Sequence, residues 1–93
     1  MEGGFLKAYV LSYKRDSGMQ NERYVILEVE GVDSKGSAAR LIGKKVVWMD
    51  LNKKLEISGK IVRVHGNRGK VIAKFDNPLP GQAIGTAAAV YLL

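Results

Sequence analysis

The stretch Leu55-Glu-Ile-Ser-Gly59-Lys60-Ile-Val-Arg63-Val-His65-Gly66-Asn67-Arg68-Gly69-Lys70-Val-Ile-Ala-Lys74-Phe75 decides the fold. It consists of two β-branched runs meeting at a turn in which two glycines and an asparagine supply positive φ angles. In the second run, Lys70 to Phe75, Val71, Ala73 and Phe75 alternate with Lys70 and Lys74, the period-two pattern of a half-buried strand. In the first run, Leu55 to His65, the alternation slips. Ile57, Gly59 and Ile61 share one face while Val62 and Val64 share the other, which predicts a bulge or strong coiling near Gly59 to Val62. Two strands and a tight turn make a β-hairpin.

Working outward, the same signals recur. Phe5 to Tyr13 reads as a first strand and Arg23 to Val32 as a second, with Val25, Leu27 and Val29 on one face and Glu28 and Glu30 on the other. The polar stretch Lys14 to Glu22 between them predicts a loop, the first candidate to order only on binding a partner. Asp33 to Gly36 is turn chemistry, and Ser37 to Ile42 predicts one helical turn with Ser37 as N-cap and Gly43 as stop. Lys44 to Asp50 predicts a third strand around Val46, Val47 and Trp48, and Leu51 to Lys54 a turn into Leu55. Asn77-Pro-Leu-Pro80 cannot pair centrally, because proline lacks the ladder donor, and predicts an ordered irregular loop running to Gly85. Thr86 to Leu93, apolar almost throughout, predicts a last strand that closes the sheet or is covered on both faces. Six strands in 93 residues predict an all-β chain forming one small six-stranded antiparallel barrel over residues 1–93, with an open two-sheet sandwich as the alternative.

Composition narrows the chemistry. The longest apolar run, Ala87 to Leu93, is seven residues, against roughly 20 for a membrane helix. Met1 to Leu6 lacks the cationic start and apolar core of a signal peptide, so no membrane contact and an intracellular location are expected. Cysteine is absent and His65 is the single histidine, which removes disulfides, thiolate metal sites and the usual histidine-rich zinc sites. No serine lies in a nucleophile elbow, and no phosphate-loop or dinucleotide fingerprint is present. No enzyme, no cofactor, no metal and no small-molecule substrate is expected.

Fifteen Lys plus Arg against nine Asp plus Glu leave a net charge of +6, and the pI is near 9.7. An excess of that size on a small chain attracts polyanions, of which nucleic acid is the commonest. The segment Lys60 to Lys74 holds Lys60, Arg63, Arg68, Lys70 and Lys74 and no acidic residue. A hairpin so charged can follow a phosphate backbone, and its glycines let main-chain N–H groups approach phosphates. The competing reading is a solvated face with lysines at alternate positions. His65 either caps the turn through local backbone or contacts RNA, and Lys44-Lys45 is a further basic pair. Trp48 and Phe75 read as core, whereas Tyr9, Tyr13 and Tyr24 alternate with residues that look buried and could face either way.

The run Gly59 to Phe75, followed by Leu79-Pro80 and Ala83-Ile84-Gly85, also resembles the hallmark segment of the archaeal and eukaryotic large-subunit ribosomal protein family numbered thirty-five Ae. The characteristic elements are a His-Gly-Asn-x-Gly turn, an Ala-x-Phe strand and a Leu-Pro-x-x-Ala-(Ile or Met)-Gly loop, all present in order and at matching spacing. The resemblance extends upstream through Tyr13-Lys14-Arg15, Gln20-Asn21, Glu30-Gly31-Val32 and Leu41 to Val46. It departs at the end, where relatives tend to carry a basic residue and a tail with Pro, Ser and Arg, whereas Thr86 to Leu93 is neutral and short. The compact length is similar to archaeal members.

The resemblance implies a structural constituent of the large ribosomal subunit, with a barrel like those of translation factors. Its implied partners are large-subunit rRNA, neighbouring ribosomal proteins and, by likeness of fold, transfer RNA. Such a protein is cytoplasmic and ribosome-associated, and monomeric when free. Joined to the charge argument, it nominates Lys44, Lys45, Lys60, Arg63, His65, Asn67, Arg68, Lys70 and Lys74 as RNA-binding residues. The alternatives are a free accessory protein binding transfer RNA through the same barrel, and a small barrel binding a protein or peptide at an edge or aromatic groove.

Overall fold

The computed structural model describes residues 4–16, 19–50 and 54–92. Six strands, β1 (Phe5–Asp16), β2 (Met19–Val29), β3 (Lys45–Asp50), β4 (Leu55–His65), β5 (Lys70–Phe75) and β6 (Ala87–Tyr91), form one closed antiparallel barrel in the order β1-β2-β5-β4-β3-β6. The last strand closes it by pairing with β1 on one side and β3 on the other, so the six-strand circuit has no open side.

The alternation read from sequence sets the core. Val25, Leu27, Val71, Ala73, Phe75 and Val90 are all buried and face inward, together with Trp48 from β3. Burying each large apolar side chain contributes about 1.5–3 kcal/mol. The slip in β4 is a bulge: Ile61 pairs with Ala73 and Arg63 with Ile72, which leaves Val62 as the extra residue. The insertion resets the phase, so Ile61 faces the core before it and Val64 packs on the core after it.

Two expectations are corrected. Lys14 to Glu22 is not a loop: β1 continues to Asp16 and β2 starts at Met19, with Arg15 opposite Gln20 and Asp16 opposite Met19. Strand pairing is made by backbone groups, so a polar sequence can extend a ladder that apolar neighbours have begun. The helical turn, α1 (Lys35–Ala39), starts earlier than expected, because the Ser34 side chain accepts from the Ser37 N–H and is the N-cap. Smaller shifts occur at other ends, with β2 stopping at Val29 and β6 spanning Ala87–Tyr91. Gly3, Ser17, Gly18, Leu51 to Lys53 and Leu93 lie outside the described residues.

The proline segment is the expected ordered loop, with one short 3₁₀ turn at Gly81–Ala83. Leu79 and Ala83 plug the core. The Tyr13 hydroxyl, 2.8 Å from the Leu79 carbonyl oxygen and 2.6 Å from that of Pro80, fastens the loop to β1. Trp48 Nε1 donates to Thr86 Oγ1 at 2.7 Å, and the hydroxyl in turn donates to the Ala83 carbonyl. The irregular loop is therefore rigidly attached to the barrel wall.

Candidate nucleic-acid interface

Directly opposed residues in an antiparallel ladder project to the same side of the sheet. Lys45 on β3 is opposite Lys60 on β4, and Lys60 is opposite Lys74 on β5. All three are exposed, so three ammonium-bearing side chains stand in one row across three adjacent strands. The strands are about 4.8 Å apart, too close for three like charges to be neutral in energy, and like charges directly opposite are destabilising. A continuous positive row suits a chain of phosphates.

The row continues onto β2, where Tyr24 is opposite Lys74. The Lys74 ammonium lies 5.7 Å from the centre of the Tyr24 ring, a cation–π contact that restrains it. Beside the row an open groove is lined by Gly43, Ser58, Gly59 and Asp76 along with the three lysines. Gly59 fits there because a Cβ would collide with the Lys74 and Phe75 backbone, so the missing side chain lets β5 run close beneath the lysines. Asp76 is the one acid on this groove lining.

The other nominated residues lie apart from that row. At the hairpin tip Gly66 (φ +74°) and Gly69 (φ +92°) take the left-handed region expected of them, whereas Asn67, expected to share it, does not, and Asn67 and Arg68 are exposed between the glycines. His65 is opposite Lys70, and both are half-buried. Lys70 also faces Glu28 across the β2–β5 ladder, so its charge is partly offset in a way that of Lys60 is not. Arg63 is exposed opposite the buried Ile72, between tip and row. Lys44 alternates away from Lys45, and its ammonium donates to the Leu92 carbonyl at 3.1 Å. The nine nominated residues thus split into a lysine row, a turn tip and Lys44 at the strand end.

Sequence reasoning missed Tyr24 as part of this surface. Its place depends on cross-strand register, and only the alternation with Val25 hinted that its ring faces outward. Lys7 makes a similar contact with Tyr9 on β1, at 5.4 Å from the ring centre. Among the described residues no group of three or more His, Asp or Glu side chains could hold a metal ion, and no helix is long and apolar enough to cross a membrane.

Comparison with known proteins agrees with the hallmark segments. The sequence profile of the family described as Ribosomal protein L35Ae matches residues 5–91. The chain is 42% identical over 80 residues to the large ribosomal subunit protein eL33 of Methanopyrus kandleri, covering 86% of this chain and 89% of that protein. Identity to the protein of the same name from Caenorhabditis elegans is 37% over 101 residues, covering 95% and 82%. Against that of Tetrahymena thermophila it is 33% over 94 residues, covering 95% and 83%.

Proposed function

The chain belongs to the ribosomal protein L35Ae family, and on that premise we propose that it is a structural constituent of the large ribosomal subunit, anchored to rRNA. The observation that supports the rRNA contact is the Lys45–Lys60–Lys74 row, three exposed cations in register with no acid among them. Phosphates laid along the row release counterions and relieve the repulsion among the lysines, so binding and stability are coupled. The tip adds Arg63, His65, Asn67, Arg68 and Lys70, with Lys44 at the strand end. Arg68 suits bidentate phosphate contact, and the exposed turn suits main-chain contact. Recognition of this kind reads backbone shape and 2′-hydroxyls rather than sequence.

The role is architectural, not catalytic. The free chain is monomeric in this reading, and it works in the cytoplasm among neighbouring ribosomal proteins. The test is sedimentation of extract from cells making a tagged copy, followed across a sucrose gradient before and after a high-salt wash. Stoichiometric presence in the large-subunit peak that survives the wash is expected. Recovery at the top of the gradient with transfer RNA would overturn the assignment and install the free accessory protein in its place.

A further inference from the structure

The lysine row has a neighbour of different chemistry. Phe5 on β1 is opposite Tyr91 on β6, and their rings lie 6.1 Å apart at an interplanar angle of 54°. Both are well exposed, Phe5 at 57% and Tyr91 at 41%. The β3–β6 ladder ends at Val46 opposite Val90, and continuing its register by one residue sets Lys45 toward Tyr91 on the same outward side. The outward side chains therefore run Phe5, Tyr91, Lys45, Lys60, Lys74 and Tyr24 in one unbroken belt across all six strands. From Phe5 to Lys74 the belt takes four strand spacings, about 19 Å, around the convex face of the closed barrel.

Two exposed rings followed by three cations is the combination that holds single-stranded nucleic acid, in which bases stack on aromatic faces and phosphates lie on lysines. A straight duplex touches only part of so curved a path, whereas an unpaired strand bends to follow it. Resting on the RNA-binding reading above, we infer that the belt takes an unpaired RNA segment, with one base stacked on the Phe5–Tyr91 pair and the adjoining phosphates on Lys45, Lys60 and Lys74. The charge supports RNA as the occupant, because the aromatic pair adjoins the row of Lys45, Lys60 and Lys74. The hydrogen bond from Lys44 to the Leu92 carbonyl holds the end of β6 in place beside the platform. Phe5 and Tyr91 are thus binding residues that charge alone does not reveal.

The test uses the full chain with a short single-stranded oligoribonucleotide containing 2-aminopurine, and a duplex of equal charge as competitor. The single strand is expected to bind more tightly than the duplex, with quenching of the 2-aminopurine emission on stacking. Phe5→Ser with Tyr91→Ser is expected to abolish the quenching and weaken single-strand binding about ten-fold, as loss of one stacked base implies. Duplex affinity and the salt slope stay at wild-type values. Lys60→Gln weakens both ligands and lowers the slope. If the double variant melts early, Phe5→Leu with Tyr91→Leu, which keeps apolar bulk without the rings, reads the same loss of quenching. Equal affinity for both ligands, or quenching that persists in the variants, overturns the platform while leaving the lysine row intact. Absence of salt-dependent binding to either ligand removes the RNA-binding reading itself, and the platform with it.

Discussion

Lys60 and Lys74 face each other directly across the β4–β5 ladder, and Lys45 faces Lys60 from the other side. The central lysine has two like-charged neighbours, whereas Lys74 has the Tyr24 ring beside it. Lys60→Gln is therefore expected to stabilise the free protein by about 0.5 kcal/mol, a rise of about 3 °C in melting temperature for a domain of this size. The same variant is expected to lose RNA affinity, with the log–log salt slope smaller by about 0.7–0.9 if one phosphate contact goes. Thermal melts and salt titrations read the two effects. A fall in melting temperature together with an unchanged slope would remove the row as a site of stored repulsion.

The two glycines of the β4–β5 turn differ in what surrounds them. Gly66 has positive φ and open space where a Cβ would be, whereas at Gly69 a Cβ would come within 2.5 Å of the Val32 carbonyl oxygen. Gly66→Ala is expected to cost about 1–2 kcal/mol from the left-handed conformation alone. Gly69→Ala adds a backbone collision and is expected to cost about 3 kcal/mol or more. Urea denaturation of the pair checks the order, and equal losses would mean that the Val32 segment moves aside freely.

Much of this barrel was legible in the chain, and the reasons are local. β4 and β5 end where the sequence placed them because alternation, the glycine turn and the charged outward positions all agree. The β4 bulge was legible as the change of phase between Ile61 and Val64. The β1–β2 extension was not, because nothing in Lys14 to Glu22 advertises pairing that is made by backbone alone. Ser34 was passed over as N-cap for Ser37, which lies inside the helix, because the two serines are only three residues apart and either could open so short a turn. The nominated lysines were legible as charges, but their row was not: Lys45, Lys60 and Lys74 lie far apart in the chain, and only the registers of two ladders bring them together. The Phe5–Tyr91 pair was hidden for the same reason, with the two residues at opposite ends of the sequence.

Trp48 is almost fully buried, and its indole N–H donates to Thr86 Oγ1. Thr86→Val keeps the side-chain shape and removes the acceptor, leaving the part-buried indole donor without its partner. A loss of about 1–3 kcal/mol is expected. Trp48 is the single tryptophan, so its emission reports directly on the site and is expected to move to shorter wavelength. Unchanged stability and emission would mean that the hydrogen bond does not hold the Leu79 to Gly85 loop against β3.

The most direct measurement for the lysine row is amine-reactive footprinting by mass spectrometry, on the free chain and on the chain within intact large subunits. The account predicts that Lys45, Lys60 and Lys74 label readily when free and are protected in the subunit, while the exposed Lys35 beside the helix cap keeps its reactivity. Equal labelling of the three lysines in both states, with protection falling instead on Lys35 and Lys54, would contradict it.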